Sequence, residues 1–141
     1  MQEDISRILE LRLQGNCCSQ VFLQMGLLIK GKENPDLVQA VSGLCNGLYS
    51  GLVCGALTGG ACLLALFDRQ AGSLMIPDLV NWFKNRYGEM YGGIDCIDIL
   101  EGISVNGSKQ CSDICADIII ETYTKAKEIL LENGYNVEVA E

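Results

Sequence analysis

Eight cysteines in 141 residues are the chemistry-bearing feature of this chain: Cys17, Cys18, Cys45, Cys54, Cys62, Cys96, Cys111 and Cys115. Their spacing excludes several thiol sites at once. No C-x-x-C occurs, so a thioredoxin-like dithiol, a two-knuckle zinc ribbon and the ferredoxin cysteine runs are all absent. The chain also has no histidine. Imidazole bases, Cys-His nucleophilic pairs, haem attachment through C-x-x-C-H and mixed Cys/His zinc sites go with it. Any metal must be held by thiolates, carboxylates or backbone, and any site must be assembled from distant segments.

Individual cysteines differ in setting. Cys17 and Cys18 stand at a helix start, where the macrodipole and unpaired N–H groups favour thiolate. Cys54 lies between Val53 and Gly55, where a glycine lets a ligand or another backbone come close. Cys111 and Cys115 share one helix face, four residues apart. Each cysteine can also fill core space, since the residue is small and apolar, and Cys45 and Cys62 in an uncharged stretch fit that role best. Asp95 and Asp98 beside Cys96, and Asp113 and Asp117 beside Cys115, read chiefly as a solvated face.

The elements that must position these sulfurs follow from periodicity. Ile5, Ile8, Leu9 and Leu13 give a first helix ending before Gly15, and Asn16 is placed to cap a second that carries Val21, Phe22, Met25, Leu28 and Ile29. Asn34-Pro35 starts a third, followed by Leu37, Val38, Val41 and Leu44. From Leu37 to Phe67 no residue is charged. Six glycines and several polar residues in that stretch favour a buried central helix over a membrane span. Gly43, Gly47, Gly51, Gly55 and Gly59 recur every fourth residue, which predicts close helix packing with one break. The competing reading is a turn between Asn46 and Gly51 whose backbone N–H groups face a ligand. Pro77-Asp78 opens a helix closed by Gly92-Gly93, and a short turn around Cys96 follows. After the Asn106-Gly107 turn, Ser108 caps a long last helix ended by Asn133-Gly134. No segment alternates with period two. The fold expected is all-α, a compact bundle of five or six helices around the Gly-rich central helix, forming one domain over 1–134 with a loose tail at 135–141.

Composition narrows the partners. With 49% hydrophobic and 20% charged residues the chain can bury a core unaided. Disulfide staples are then unnecessary, and the N-terminus shows no secretory leader pattern, so the expected setting is cytoplasmic with reduced thiols or metal thiolates. A net charge of -8 makes nucleic acid and anionic membrane poor partners.

Four segments, in order, resemble a known family. They are Asn16-Cys17-Cys18-Ser19-Gln20, the run Val53-Cys54-Gly55-Ala56-Leu57-Thr58-Gly59-Gly60, Cys96, and Cys115-Ala116-Asp117-Ile118-Ile119. Their cysteine order is similar to that of the C-GCAxxG-C-C proteins, a family described as redox-active, over residues 6 to 134. The resemblance implies that Cys18, Cys54, Cys96 and Cys115 are the recurring thiols. It places them as metal ligands for an iron-sulfur cluster in electron transfer, with structural zinc as the variant and Gly51 and Gly55 as the backbone beside the cofactor. Metal-free thiol exchange is the alternative, with a Cys18 thiolate reacting with Cys54 or Cys115. A third reading is a homodimeric interaction module whose cysteines mostly fill space. A homodimer and a redox protein partner are the expected associations.

Overall fold

The computed structural model describes residues 2–106 and 111–139, without the side chains at 71–72, 102–106 and 111–112. Among them are seven α-helices: α1 (Gln2–Leu13), α2 (Cys18–Lys30), α3 (Pro35–Ala40), α4 (Gly55–Phe67), α5 (Ala71–Tyr91), α6 (Cys96–Asn106) and α7 (Cys111–Glu132). The all-α reading holds, and α4 is the central helix, packed against α2, α5 and α7. The expected Asn106-Gly107 turn and Ser108 cap lie outside the described residues.

Asn16 does not cap α2. Its amide instead donates to Leu11 O at 2.9 Å and its carbonyl oxygen accepts from Gln24 Nε2 at 2.8 Å, clamping the end of α1 onto α2. The cap position falls to Cys17, whose backbone N–H donates to Gln20 Oε1 at 3.2 Å. Gly31, at φ 66°, closes α2 with a left-handed residue, and the Lys32 N–H reaches back to Leu27 O at 2.9 Å. Asn34 and Pro35 start α3 as expected, with Asn34 Oδ1 accepting from the Leu37 N–H at 3.1 Å.

The glycine stripe breaks where the charge-free stretch changes direction. A 3-10 turn at Val41–Leu44 leads into four consecutive left-handed residues, Asn46 at φ 53°, Gly47 at 61°, Leu48 at 61° and Tyr49 at 54°. Gly43, Gly47 and Gly51 therefore lie outside any α-helix. Only Gly55 and Gly59 act as the packing stripe. A Cβ on Gly59 would meet Ser19 Cα at 2.9 Å and Phe22 Cδ2 at 3.0 Å, and one on Gly55 would meet Cys18 Cβ at 3.3 Å. Absent side chains let α4 lie directly on the first turns of α2.

Two later elements differ from expectation. Helix α5 begins at Ala71 and runs through Pro77, because Met75 from the upstream turn is buried in the core. The segment at Cys96 is a full helix: Ile99 is buried, its N–H donates to Asp95 O at 3.1 Å, and Asp98 Oδ2 accepts the Asp95 N–H at 3.3 Å. Among the described residues, extended backbone pairs once, between Val53 and Asp95. There Cys54 N–H donates to Ile94 O at 3.2 Å and Cys96 N–H to Leu52 O at 2.6 Å.

Helix α7 buries Ile118, Ile119, Thr122, Tyr123, Ala126, Ile129 and Leu130, one face at helical period. Lys127 Nζ binds Asp4 Oδ2 at 2.6 Å and so ties α7 to α1. Residues 135–137 are held where the sequence suggested a loose tail. Tyr135 OH donates to Asp68 Oδ2 at 2.6 Å and Val137 is buried. No described helix is long and apolar enough to cross a membrane.

Two glycines separate packing from backbone entropy. Gly59→Ala forces the backbone of α2 to shift and is expected to lower stability by about 1–3 kcal/mol. Gly88→Ala in α5, where a Cβ meets nothing within 4 Å, is expected to raise it by about 0.5–1 kcal/mol. Urea unfolding midpoints of the two variants check both signs.

Candidate functional site

The break before α4 and the bridge at Val53 and Asp95 bring the starts of three helices to one place. Cys18 is the first residue of α2, Cys54 caps α4, and Cys96 is the first residue of α6. Cys115 approaches from the second turn of α7. All four line a single cavity of about 90 Å³, together with Asn46, Gly55, Ala56, Ile99, Leu100 and Ile118. Its wall is mostly apolar carbon and sulfur. Cys54 is buried, and Cys18, Cys96 and Cys115 are half-buried.

The electrostatics of the cavity oppose a bare thiolate and favour a compensated one. Burial pushes the Cys54 thiol up from 9.0 to about 12, and the neighbouring Cys18 and Cys96 push the same way. Hydrogen bonds from the backbone at Ala56 and Leu57, in the first turn of α4, pull it down without overcoming burial. Three helix N-termini present their positive ends to the same space. A cation placed among the sulfurs would remove the repulsion between them and leave the helix dipoles to stabilise the thiolates.

The remaining sequence candidates fall elsewhere. Gly55 lines the cavity, but Gly51 does not; it packs beside Ile97, 3.2 Å from that residue's Cβ to where its own Cβ would be. Cys62 is half-buried on α4 away from the cavity, its thiol raised by burial. Asp113 and Asp117 are exposed, and Asp98 is engaged in capping α6. The side chain of Cys111 lies outside the described residues. Among those described, no three Cys, Asp or Glu side chains are grouped closely enough to hold one metal ion.

Cys17 and Cys45, expected as reduced thiols, are joined in a disulfide with Cα atoms 6.0 Å apart. Spacing could not reveal this pair, because the turn from Val41 to Tyr49 is what carries Cys45 back to the start of α2. Asn46 is the other residue whose role depends on that turn. The Asn-Gly dipeptide at 46–47, tolerant of left-handed backbone, was its sequence signal.

A family model described as "Putative redox-active protein (C_GCAxxG_C_C)" matches residues 16–129. The chain belongs to the C-GCAxxG-C-C family. No curated protein and no solved structure is significantly similar to it. In this member of the C-GCAxxG-C-C family, the matched span contains all four cavity cysteines and the Cys17–Cys45 pair.

The raised Cys54 thiol has a direct kinetic consequence. A shift from 9.0 to about 12 lowers the thiolate fraction at neutral pH roughly a thousandfold. In metal-free protein, iodoacetamide should modify Cys54 more slowly than Cys18, Cys96 or Cys115. The Cys54 rate should climb with pH beyond 9. Site-resolved mass spectrometry over a pH series measures both.

Proposed function

We propose that this protein is a redox carrier in which Cys18, Cys54, Cys96 and Cys115 hold an iron-sulfur cluster. The observation that carries the reading is the convergence of these four cysteines, from four separate helices, on one apolar-walled cavity. An all-sulfur donor set with no imidazole suits iron-sulfur clusters and zinc. Between the two, the description of the family as redox-active favours the cluster, since zinc carries no electron.

When bound, such a cluster supplies one-electron storage. The chain's own residues set its surroundings. The N-termini of α2, α4 and α6 offset the negative charge of thiolates, and Ile99, Leu100 and Ile118 give the cavity an apolar wall beside the sulfurs. The acidic residues that flank Cys96 and Cys115 in sequence do not line the cavity. Exposed Leu48, Tyr49, Leu52, Val53 and Ile97 lie on the segments that bear Asn46, Cys54 and Cys96, and they offer a redox protein partner an apolar surface near the site. Thiol exchange led by Cys18 with Cys54 is the weaker reading, since a Cys54 thiol raised to about 12 is a poor nucleophile and a poor leaving group at neutral pH.

Anaerobic reconstitution with iron and sulfide tests the proposal. The wild-type chain should retain both and show a broad visible charge-transfer absorption. Cys54→Ala and Cys96→Ala should each lower retained iron by about 10-fold or more, while Cys62→Ala should leave it unchanged. Zinc bound without sulfide, or equal loss in all three variants, would overturn the cluster reading.

A further inference from the structure

The Cys17–Cys45 disulfide has a neighbour that it does not need. Ser19 is completely buried, and its Oγ lies 3.4 Å from Cys17 Sγ and 3.4 Å from Cys45 Sγ. The same hydroxyl donates to Val41 O at 2.7 Å. A hydroxyl has one hydrogen to give and two lone pairs to receive. Its hydrogen is committed to Val41, so what it presents to the two sulfurs is acceptor capacity. A disulfide has no hydrogen to offer there. A reduced pair has two.

We propose that Cys17 and Cys45 form a reversible thiol–disulfide exchange centre that takes a dithiol as co-substrate, with Ser19 as the acceptor that holds the reduced state. A thiolate of the dithiol attacks Cys17 Sγ, the half-buried sulfur, because Cys45 is only 1% exposed. The bond between Cys17 and Cys45 breaks as a mixed disulfide forms, and Cys45 leaves as thiolate and takes a proton. The second thiol of the reductant then attacks the mixed disulfide and releases Cys17. Two electrons pass to the pair, and the co-substrate becomes a cyclic disulfide. The two sulfurs move apart from bonding to van der Waals separation, and Ser19, already beside both, keeps a lone pair for each new S–H group.

The centre is continuous with the cavity wall. Cys17 precedes Cys18, and Cys45 precedes Asn46, and both of those residues line the cavity. Reduction cuts the covalent tie between the start of α2 and the left-handed turn, so it loosens one wall while leaving the four cavity cysteines unchanged. The centre does not depend on a cluster being present, and the measurement below does not read iron.

The full chain is equilibrated without oxygen in graded mixtures of reduced and oxidised dithiothreitol, quenched in acid, alkylated, and read by site-resolved mass spectrometry. Cys17 and Cys45 should titrate together and reversibly. Ser19→Ala should move the equilibrium toward the disulfide by roughly 3- to 10-fold, since the hydrogen bond to Val41 O is lost in both states and only the dithiol also loses its acceptor. A pair that stays oxidised in every mixture, or a Ser19→Ala equilibrium equal to wild type, would overturn the proposal. A second readout needs no Ser19 variant. In the Raman difference between reduced wild type and reduced Cys45→Ala, the S–H stretch should lie below that of a solvent-exposed thiol, and an unshifted band would equally overturn it.

Discussion

The contact on which the site depends is the bare edge of α4 against the first turns of α2. Gly55 and Gly59 carry no side chain where Cys18, Ser19 and Phe22 lie against them. That closeness sets the Cys18 and Cys54 side chains on one cavity, and it buries Cys54 deeply enough to suppress its ionisation. The same approach buries Ser19 and so fixes the hydroxyl between Cys17 and Cys45. Packing, thiol acidity and the disulfide's surroundings are thus three results of one interhelical distance.

The fold class was legible because most helices carry their core residues at a clean period of three to four. Ile118, Ile119, Tyr123, Ala126, Ile129 and Leu130 in α7 are the plainest case. Capping residues read correctly where the side chain has no better partner, as at Asn34, and misled where it has one, as at Asn16, which binds Leu11 and Gln24 instead. Pro77 suggested a helix start by local preference, yet burial of Met75 carries the helix upstream of it. The stretch from Val41 to Val53 was the least legible part. Its glycines fit a helical stripe by number, but Gly47 and Gly51 are left-handed and Gly43 sits in the 3-10 turn, and only tertiary packing selects between the two.

For the site, the order of cysteines was informative and their individual environments were not. The resemblance singled out Cys18, Cys54, Cys96 and Cys115, and all four line one cavity. The Cys17–Cys45 bond required knowing that residues 41 to 49 fold back on α2. Burial likewise decided the acidity of Cys54, against the simple expectation that a thiol at a helix start is a reactive one.

The extended pair at Val53 and Asp95 closes the chain between Cys54 and Cys96 into a loop that is stitched at its base. Helices α4 and α5 form the two arms of that loop, and its turn, near Asp68, lies about 20 Å along α4 from Cys54 by helix rise. Because the stitch holds both cysteines from below, their separation is insulated from the length of what lies beyond it. The turn can therefore tolerate insertion or deletion, or accept a grafted segment, without altering the spacing of the sulfurs. The Tyr135 hydroxyl on Asp68 and the Lys30 ammonium on the Leu66 carbonyl moor it, so these contacts would set the limit on how far that turn can be remodelled.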